Sequence, residues 1–488
     1  MYAFINPQAP WLKKPIEAFI RHHVPDVVFV DDVEDLPEGG VDTLFQLCDG
    51  WALTDNFTAA NAARRSLINA YPNSDALARK DHLAAVVDYW TTKQPESVLR
   101  THYPHTVRLT LDYAEYVDEA LTAADDLSLL DSLEQNETKE PSDREWWILK
   151  PALVDSGRGI RLFSTVEELA SHLELAENET DGEDDDDDDD NDTDEDVEEA
   201  KVDMNGDHSL TLTSPAFQSL DALFTVSGRK KQRKKDKKPQ YVFKAGGRIP
   251  SAQMRAFAAQ RYLTAVSTLA GGHKWHIRAY ALAVGRLRVY VAREMLALLA
   301  AEPYVPPWVG DKPNMRAALT NSAMRDDDEV DAGMLAFWDL GQQDGEQGED
   351  DKEKKEKEKK KADWKTDVFE QICAVTAELF RAAVHTMPDK FVALDRSFEL
   401  FGLDFLLDAS GNAWLLEVNE APAFYDNPVA GPISLRLYEA VICTTMEHMG
   451  LARIGDDPKS AEVKGRLVEV LDETVKLAKS NITEIVPE

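Results

Sequence analysis

Two acidic residues and an asparagine have the types and spacing of a hard-cation site. In Phe401 to Pro422, FGLDFLLDASGNAWLLEVNEAP, the residues Phe401, Leu403, Phe405 and Leu407 alternate with Gly402, Asp404, Leu406 and Asp408. Trp414, Leu416 and Val418 likewise alternate with Leu415, Glu417 and Asn419. That is the period-2 pattern of strands, and the intervening Ala-Ser-Gly-Asn has the composition of a turn. A symmetric four-residue turn sets Asp404 opposite Glu417, with Cβ atoms roughly 5 Å apart. Asn419, two residues on, then shares the face of Glu417. Two carboxylates and an amide oxygen, without Cys or His, suit Mg²⁺ and through it phosphate oxygens. The plainer alternative is the solvated face of an amphipathic hairpin, but like charges directly opposed are destabilising without compensation, which a cation would supply.

Cationic residues lie elsewhere in the chain. His273-Lys274-Trp275-His276-Ile277-Arg278 alternates so that Lys274, His276 and Arg278 share a strand face with Trp275 and Ile277 packed behind. Arg286, Arg288 and Arg293 extend a cationic surface in an otherwise acidic protein, as a triphosphate requires for charge-assisted hydrogen bonds. Ordinary solvated charge is the alternative. Ser156-Gly157-Arg158-Gly159, following Lys150, permits close backbone approach to phosphate and equally suits a surface turn. No G-x-x-x-x-G-K-[ST] occurs, which argues against a P-loop enzyme.

The elements that must position these groups read as an α/β protein with α+β character. Met1 to Ile5 and Val27 to Val30 read as strands around a helix at Pro15 to His23, a small N-terminal lobe over residues 1–75. A central lobe over 76–263 holds a helix from Asp81 to Trp90 and a buried strand at Trp146 to Lys150. A C-terminal lobe over 264–455 contains an amphipathic helix marked by Trp364, Val368, Ile372, Val375 and Leu379, then the hairpin. Leu467, Val470, Leu471 and Leu477 suggest a last helix, within a helix and tail over 456–488.

Two insertions, Glu174 to about Gln240 and Gly341 to Lys361, are too charged to bury apolar area against the entropy of ordering and read as disordered. The net charge is −36 over 488 residues. Without the 17 acidic residues of Glu177 to Glu199 it is −19, and without the +7 of Arg229 to Lys238 as well it is −26. An acidic body disfavours direct nucleic-acid binding and does not attract an acidic peptide unless charge is locally segregated. Three cysteines, Cys48, Cys373 and Cys443, without CxxC, argue against disulfides or zinc and fit a reducing cytosol. Met1 to Trp11 lacks a signal-peptide pattern, and arginines interrupt Trp275 to Ala301, so no membrane route is implied.

An ordered set of segments carries a resemblance. Lys80-Asp81-His82-Leu83, Trp147-Ile148-Leu149-Lys150-Pro151, Gly157-Arg158-Gly159-Ile160, Gln260-Arg261-Tyr262, Lys274-Trp275-His276-Ile277-Arg278, Ala318-Leu319-Thr320-Asn321 and FGLDF…WLLEVNEAP resemble, in order, the tubulin-tyrosine ligase family of ATP-grasp ligases in its fungal form. The resemblance runs from Met1 to about Met449. It implies that Lys80 and Lys150 contact nucleotide phosphates, that the Gly157 to Ile160 loop closes over them, and that Gln260, Arg261, Tyr262 and Leu263 form an adenine hinge, mostly through backbone groups. It further implies phosphate and carboxylate binding by Lys274, Arg278 and Arg293, Mg²⁺ binding by Asp404, Glu417 and Asn419, and a signature segment at Thr320 and Asn321 near the active site. Arg158 and Arg261 stand where lysine is usual, and His276 stands where the family has Asp. His276 either alters substrate geometry or, facing outward, is structurally neutral.

The expected activity is an ATP- and Mg²⁺-dependent carboxylate-amine ligase adding an amino acid to a protein or peptide carboxylate through an acylphosphate, with a tubulin tail among the acceptors the family uses. The alternative is an ATP-binding interaction protein, since fungal relatives are linked to cytoplasmic mRNA-decay bodies. A third reading, RNA binding through Arg229 to Lys238, is weakened by the longer acidic run beside it.

Overall fold

The computed structural model describes residues 1–37, 40–48, 63, 65–71, 73–111, 116–153, 159–171, 255–269, 271–320, 324–325, 331–341, 351–451 and 458–474. Three sheets organise them. The N-terminal sheet is parallel, in order β2-β1-β3-β4, from β1 (Tyr2–Asn6), β2 (Val28–Val30), β3 (Thr43–Cys48) and β4 (Arg65–Ile68), with helix α1 (Lys13–His23) between the first two strands. The sequence pattern supplied β1, α1 and β2. It missed β3, which is buried at every position and so shows no alternation, and the short β4.

The central sheet is antiparallel, in order β5-β8-β6-β7, from β5 (Thr106–Thr110), β6 (Trp147–Pro151), β7 (Arg161–Phe163) and β8 (Ala256–Arg261). Helix α2 (Lys80–Lys93) buries Leu83, Val86 and Val87, and Trp90 donates from its indole to Glu378 at 2.8 Å. The expected first insertion lies outside the described residues.

The third sheet holds β9 (Thr268–Leu269), β10 (His273–Val284), β11 (Arg288–Ala292), β12 (Leu296–Pro303), β13 (Met334–Ala336), β14 (Phe398–Leu407), β15 (Ala413–Asn419) and β16 (Leu467–Asp472). Helix α3 (Asp351–Thr386) covers one face, and helix α4 (Ala430–His448) packs on the other with α1. Trp275, Ile277, Ala279, Phe401, Leu403 and Phe405 join the core under α3, where Val368, Ile372, Val375 and Leu379 meet them. The opposite face of β10 and β14 carries His276, Arg278, Gly402 and Asp404 before closing again over Tyr280, Leu282 and Leu400.

The backbone of α3 is continuous from Asp351 into the amphipathic stretch, and residues 342–350 of the second insertion lie outside the described residues. One expectation is corrected. Residues 467–472 form a strand, not a helix, antiparallel to β11, while helix α5 (Pro458–Gly465) comes before it. A short apolar run fits either period, and the open edge of β11 selects the extended form.

Candidate nucleotide and metal site

The hairpin of β14 and β15 sets Asp404 opposite Glu417 and Gly402 opposite Asn419, as the spacing predicts. The route differs. Near the turn the pairing is Leu407 with Ala413 and Phe405 with Leu415, so the loop is three residues, Ala409 to Gly411, with Gly411 at φ +86° and the Asp408 amide donating to the Asn412 carbonyl at 3.0 Å. A bulge between the Phe405 and Asp404 pairs then absorbs one residue of β15. The phase of the strand therefore changes. Leu415 and Val418 reach the core, and the carbonyl of Leu416 accepts from the Lys150 ammonium at 3.4 Å.

Cationic side chains also meet the opposed carboxylates. Arg278, directly opposite Asp404 on β10, donates from Nε to Oδ1 at 2.5 Å and from an outer nitrogen to Oδ2 at 3.1 Å. Lys80, at the start of α2, lies 3.9 Å from Glu417. Burial alone would raise the Asp404 pKa, but the charge of Arg278, that of His276 at the low pH where the ring is protonated, and the hydrogen bonds outweigh it and hold the carboxyl down at about 2. Burial would likewise ease proton loss from Arg278, yet Asp404 keeps its pKa above the ordinary value.

Lys150, on β6, brings the central sheet to this cluster and donates to the Gln260 side chain at 2.8 Å. Its pKa falls to about 8, first through burial, with Lys80 lowering it further and Glu417 opposing. Lys274 sits 4.0 Å from the centroid of the Tyr262 ring and 5.9 Å from that of Tyr304. Burial and then the repulsion of Lys150 lower its pKa to about 7. Two buried lysines held near neutrality constitute a site short of negative charge.

His276 does not face outward. Its ring is 5 % exposed, Nδ1 is 2.6 Å from the Thr320 hydroxyl, Nε2 is 3.6 Å from Asp404, and burial holds its pKa near 4. A neutral ring there is packed beside Asp404 rather than solvated. Gly402 leaves room for its neighbours: an added Cβ would lie 2.8 Å from the Pro422 Cβ and 3.2 Å from the Arg278 Cδ.

The structure thus brings together Lys80, Lys150, Lys274, His276, Arg278, Thr320, Asp404, Glu417 and Asn419, whose amide nitrogen is 3.4 Å from Asp404. Of the residues expected as an adenine hinge, the Arg261 and Tyr262 amides donate to the His105 and Trp146 carbonyls, and half-buried Leu263 follows. The Gln260 side chain turns inward to Lys150 and Thr106, and Arg261 points out to pair with Glu145. Gly159, at φ +72°, and Ile160, packed beside Trp146 and Tyr262, are the described end of the glycine loop. Gly157, Arg158 and Asn321 lie outside the described residues.

Arg293 is not in the cluster, contrary to expectation. It follows the last residue of β11 with its guanidinium 5.4 Å from the Phe369 ring centroid on α3 and its Nε donating to the Gly465 carbonyl at 3.0 Å. The odd phase of β11, shared with Val289 and Val291, sends it, exposed, to the α3 side. Arg288 pairs with Asp472, so the cationic surface does not extend along this strand. Sequence reasoning missed the Leu416 carbonyl, because a bulge is visible only once the strands are paired.

Among the described residues no three His, Cys, Asp or Glu side chains are grouped to hold a metal. The oxygen-bearing side chains that could hold a hard cation here are Asp404 and Glu417, with Asn419 beside them turning its amide nitrogen to Asp404 and the Gly402 carbonyl. Asp404 and Glu417 face each other with oxygen donors only, which fits Mg²⁺, although Asp404 shares its oxygens with Arg278.

The family model described as "Tubulin-tyrosine ligase family" matches residues 59–454. The chain belongs to the tubulin-tyrosine ligase family. It is 31 % identical over 361 residues to a probable tubulin-tyrosine ligase of Schizosaccharomyces pombe, covering 74 % of this chain and 72 % of the relative. It is 29 % identical over 425 residues to the probable tubulin-tyrosine ligase PBY1 of Saccharomyces cerevisiae, covering 85 % of this chain and 47 % of that protein, and so spans about half its length. Among solved structures, the C-terminal domain of K. lactis Pby1, described as an ATP-grasp enzyme interacting with the mRNA decapping enzyme Dcp2, matches with a TM-score of 0.57 at 23 % identity over 96 % of this chain and 98 % of that one. The fold of this family member is therefore ATP-grasp, with Lys150 and the hairpin contributed by its two facing sheets. Among the described residues no helix is long and apolar enough to cross a membrane.

Proposed function

We propose that this tubulin-tyrosine ligase family member is an ATP-dependent ligase that joins an amine to a protein or peptide carboxylate, forming a C–N bond through an acylphosphate. The observation that carries the reading is the contact of the Lys150 ammonium with the bulge carbonyl of Leu416 beside Glu417, which sets a cation of one sheet against the acids of the other. Asp404, Glu417 and the amide oxygen of Asn419 would hold Mg²⁺, which when bound would neutralise phosphate oxygens. Lys80, Lys150 and Lys274 bind and orient the polyphosphate, and burial strengthens each charge contact. Arg278 lies where it can meet either the transferring phosphoryl group or the reacting carboxylate. Phosphoryl transfer consumes the γ-phosphate and gives the acylphosphate, and the amine then displaces phosphate, so no protein nucleophile is required.

The test is ADP release with Mg²⁺, candidate amino acids and carboxylate-bearing peptides, tubulin tails among them. Wild type is expected to turn over, and Asp404→Ala and Glu417→Ala to be silent; undiminished turnover in both variants would sink the assignment. A second reading draws on the solved relative that interacts with a decapping enzyme: a nucleotide-binding partner of mRNA-decay proteins in cytoplasmic bodies. Its signature would be stabilisation by Mg-ATP, no turnover on any acceptor, and stable co-purification of a decay protein.

A further inference from the structure

Between the end of β12 and its edge, residues 314–320 and 324–325 form a strap whose anchors are unusually specific. The Asn314 side chain accepts from the Arg316 and Ala317 amides and donates to Glu302 at 2.8 Å, while Arg316 donates to Glu302 and to the Met324 carbonyl at 3.0 and 2.8 Å. In the middle, Met315, Ala318 and Leu319 pack with Trp146, Ile148 and Tyr262 of the central lobe. The Tyr262 hydroxyl donates to the Ala318 carbonyl at 3.2 Å, and Thr320 bonds His276. The strap therefore touches both the ring beneath Lys274 and the residue beside Asp404.

Its far end is held by a substitute for strand pairing. β13 pairs with β12 only from Leu296 to Leu298. Beyond that, the Arg325 guanidinium donates to the carbonyls of Leu299, at 3.1 and 3.2 Å, and Ala300, at 2.6 Å. The guanidinium lies against Gly333, where an added Cβ would come within 2.5 Å of Cζ and closer still to Nε. Gly333 is not in the left-handed region, so its lack of a side chain serves the approach of Arg325 rather than backbone conformation. Asn427 ties the same turn from the other side by donating to Asp331 at 2.9 Å.

We infer that Arg325, seated on Gly333, is a positioning residue: it fixes the strap on the edge of β12 and, through Ala318 and Thr320, sets Tyr262, Lys274 and His276 for nucleotide. This rests on the reading of that cluster as a nucleotide site. The three nearest atoms an alanine at 333 would meet all belong to Arg325, the movable end of a flexible side chain, so Gly333→Ala unseats the guanidinium without straining the backbone.

The experiment measures two quantities on the full chain: hydrogen exchange at Ala317, Ala318 and Leu319, whose amides bond Asn314 and Met315 carbonyls, and Mg-ATP affinity by calorimetry without acceptor. In Arg325→Ala and in Gly333→Ala exchange is expected to quicken about tenfold and the Mg-ATP Kd to rise about five- to tenfold, at unchanged Tm within a few degrees. The double variant should match Arg325→Ala alone, because the added methyl then meets no guanidinium. Arg325→Lys, keeping the charge but not the fork, should fall between. Unchanged exchange overturns the anchor. Faster exchange with unchanged Kd overturns the positioning role. A wild type that binds no Mg-ATP defeats the nucleotide reading and with it the positioning role, while the exchange arm still decides the anchor.

Discussion

The two faces of β10 and β14 are built from alternate residues of the same strands, yet they obey different energetics. One face, Trp275, Ile277, Phe401, Leu403 and Phe405, closes under α3 and is held by area removed from water. The other carries His276, Arg278 and Asp404, almost as deeply buried, and persists because each charge has a partner. The first face depends on volume and the second on complementarity. A residue lost from the core leaves a cavity, whereas one lost from the charged face leaves its partner desolvated and alone.

The sharpest test of that contrast is Asp404→Ala, expected to cost about 3–5 kcal/mol because Arg278 is left buried and unpaired, and to abolish ADP release. Combining Arg278→Met with Asp404→Leu should recover most of the stability and none of the activity. Denaturant titration of the set decides it, and a double variant as unstable as the single would break the comparison. Phe405→Ala is expected to cost a similar ~3–5 kcal/mol by opening a cavity, but to leave the Mg-ATP affinity of the folded protein unchanged. Gly402→Ala, which presses on Pro422 and Arg278, should cost about 1–3 kcal/mol and weaken nucleotide binding, read by the same titrations.

A pH dependence is expected from Lys274. Its pKa is about 7 when folded, against 10.5 ordinarily, so between these values the unfolded chain binds more protons than the native one. Stability without nucleotide therefore rises as pH climbs through that window, and below about pH 7 the full burial penalty is present. Lys150, at about 8, adds a slope of the same sign above that value, so Lys274→Met should flatten the profile chiefly between about pH 7 and 8. Nucleotide should reverse it, since phosphate favours the charged lysine, and calorimetry in buffers of different ionisation enthalpy should show proton uptake on Mg-ATP binding above pH 7. A slope unchanged by Lys274→Met would show that another group titrates.

Much of this site is legible in the order of the residues. Alternation places Trp275 and Ile277 behind Lys274, His276 and Arg278, and Asp404 opposite Glu417, because a strand's period is dictated by backbone geometry alone. Arg293 fails for the same reason inverted: its phase on β11 can be counted only once β11 is known to pair with β10 at Ala281 to Val284. Leu467 to Leu471 fit a helix equally well until an open strand edge decides otherwise.

By itself the sequence determined which groups could carry charge, which faces they would share within one element, and which family they belong to, since these depend on residue type and local spacing. Only the tertiary structure decided that Arg278 donates to both oxygens of Asp404, that His276 lies inside against Thr320, that Leu416 turns its carbonyl to Lys150, and that Arg293 faces the other side. Each of those depends on segments meeting across 44 to 266 residues of chain, and Leu416 also on a one-residue register shift, which local periodicity cannot encode.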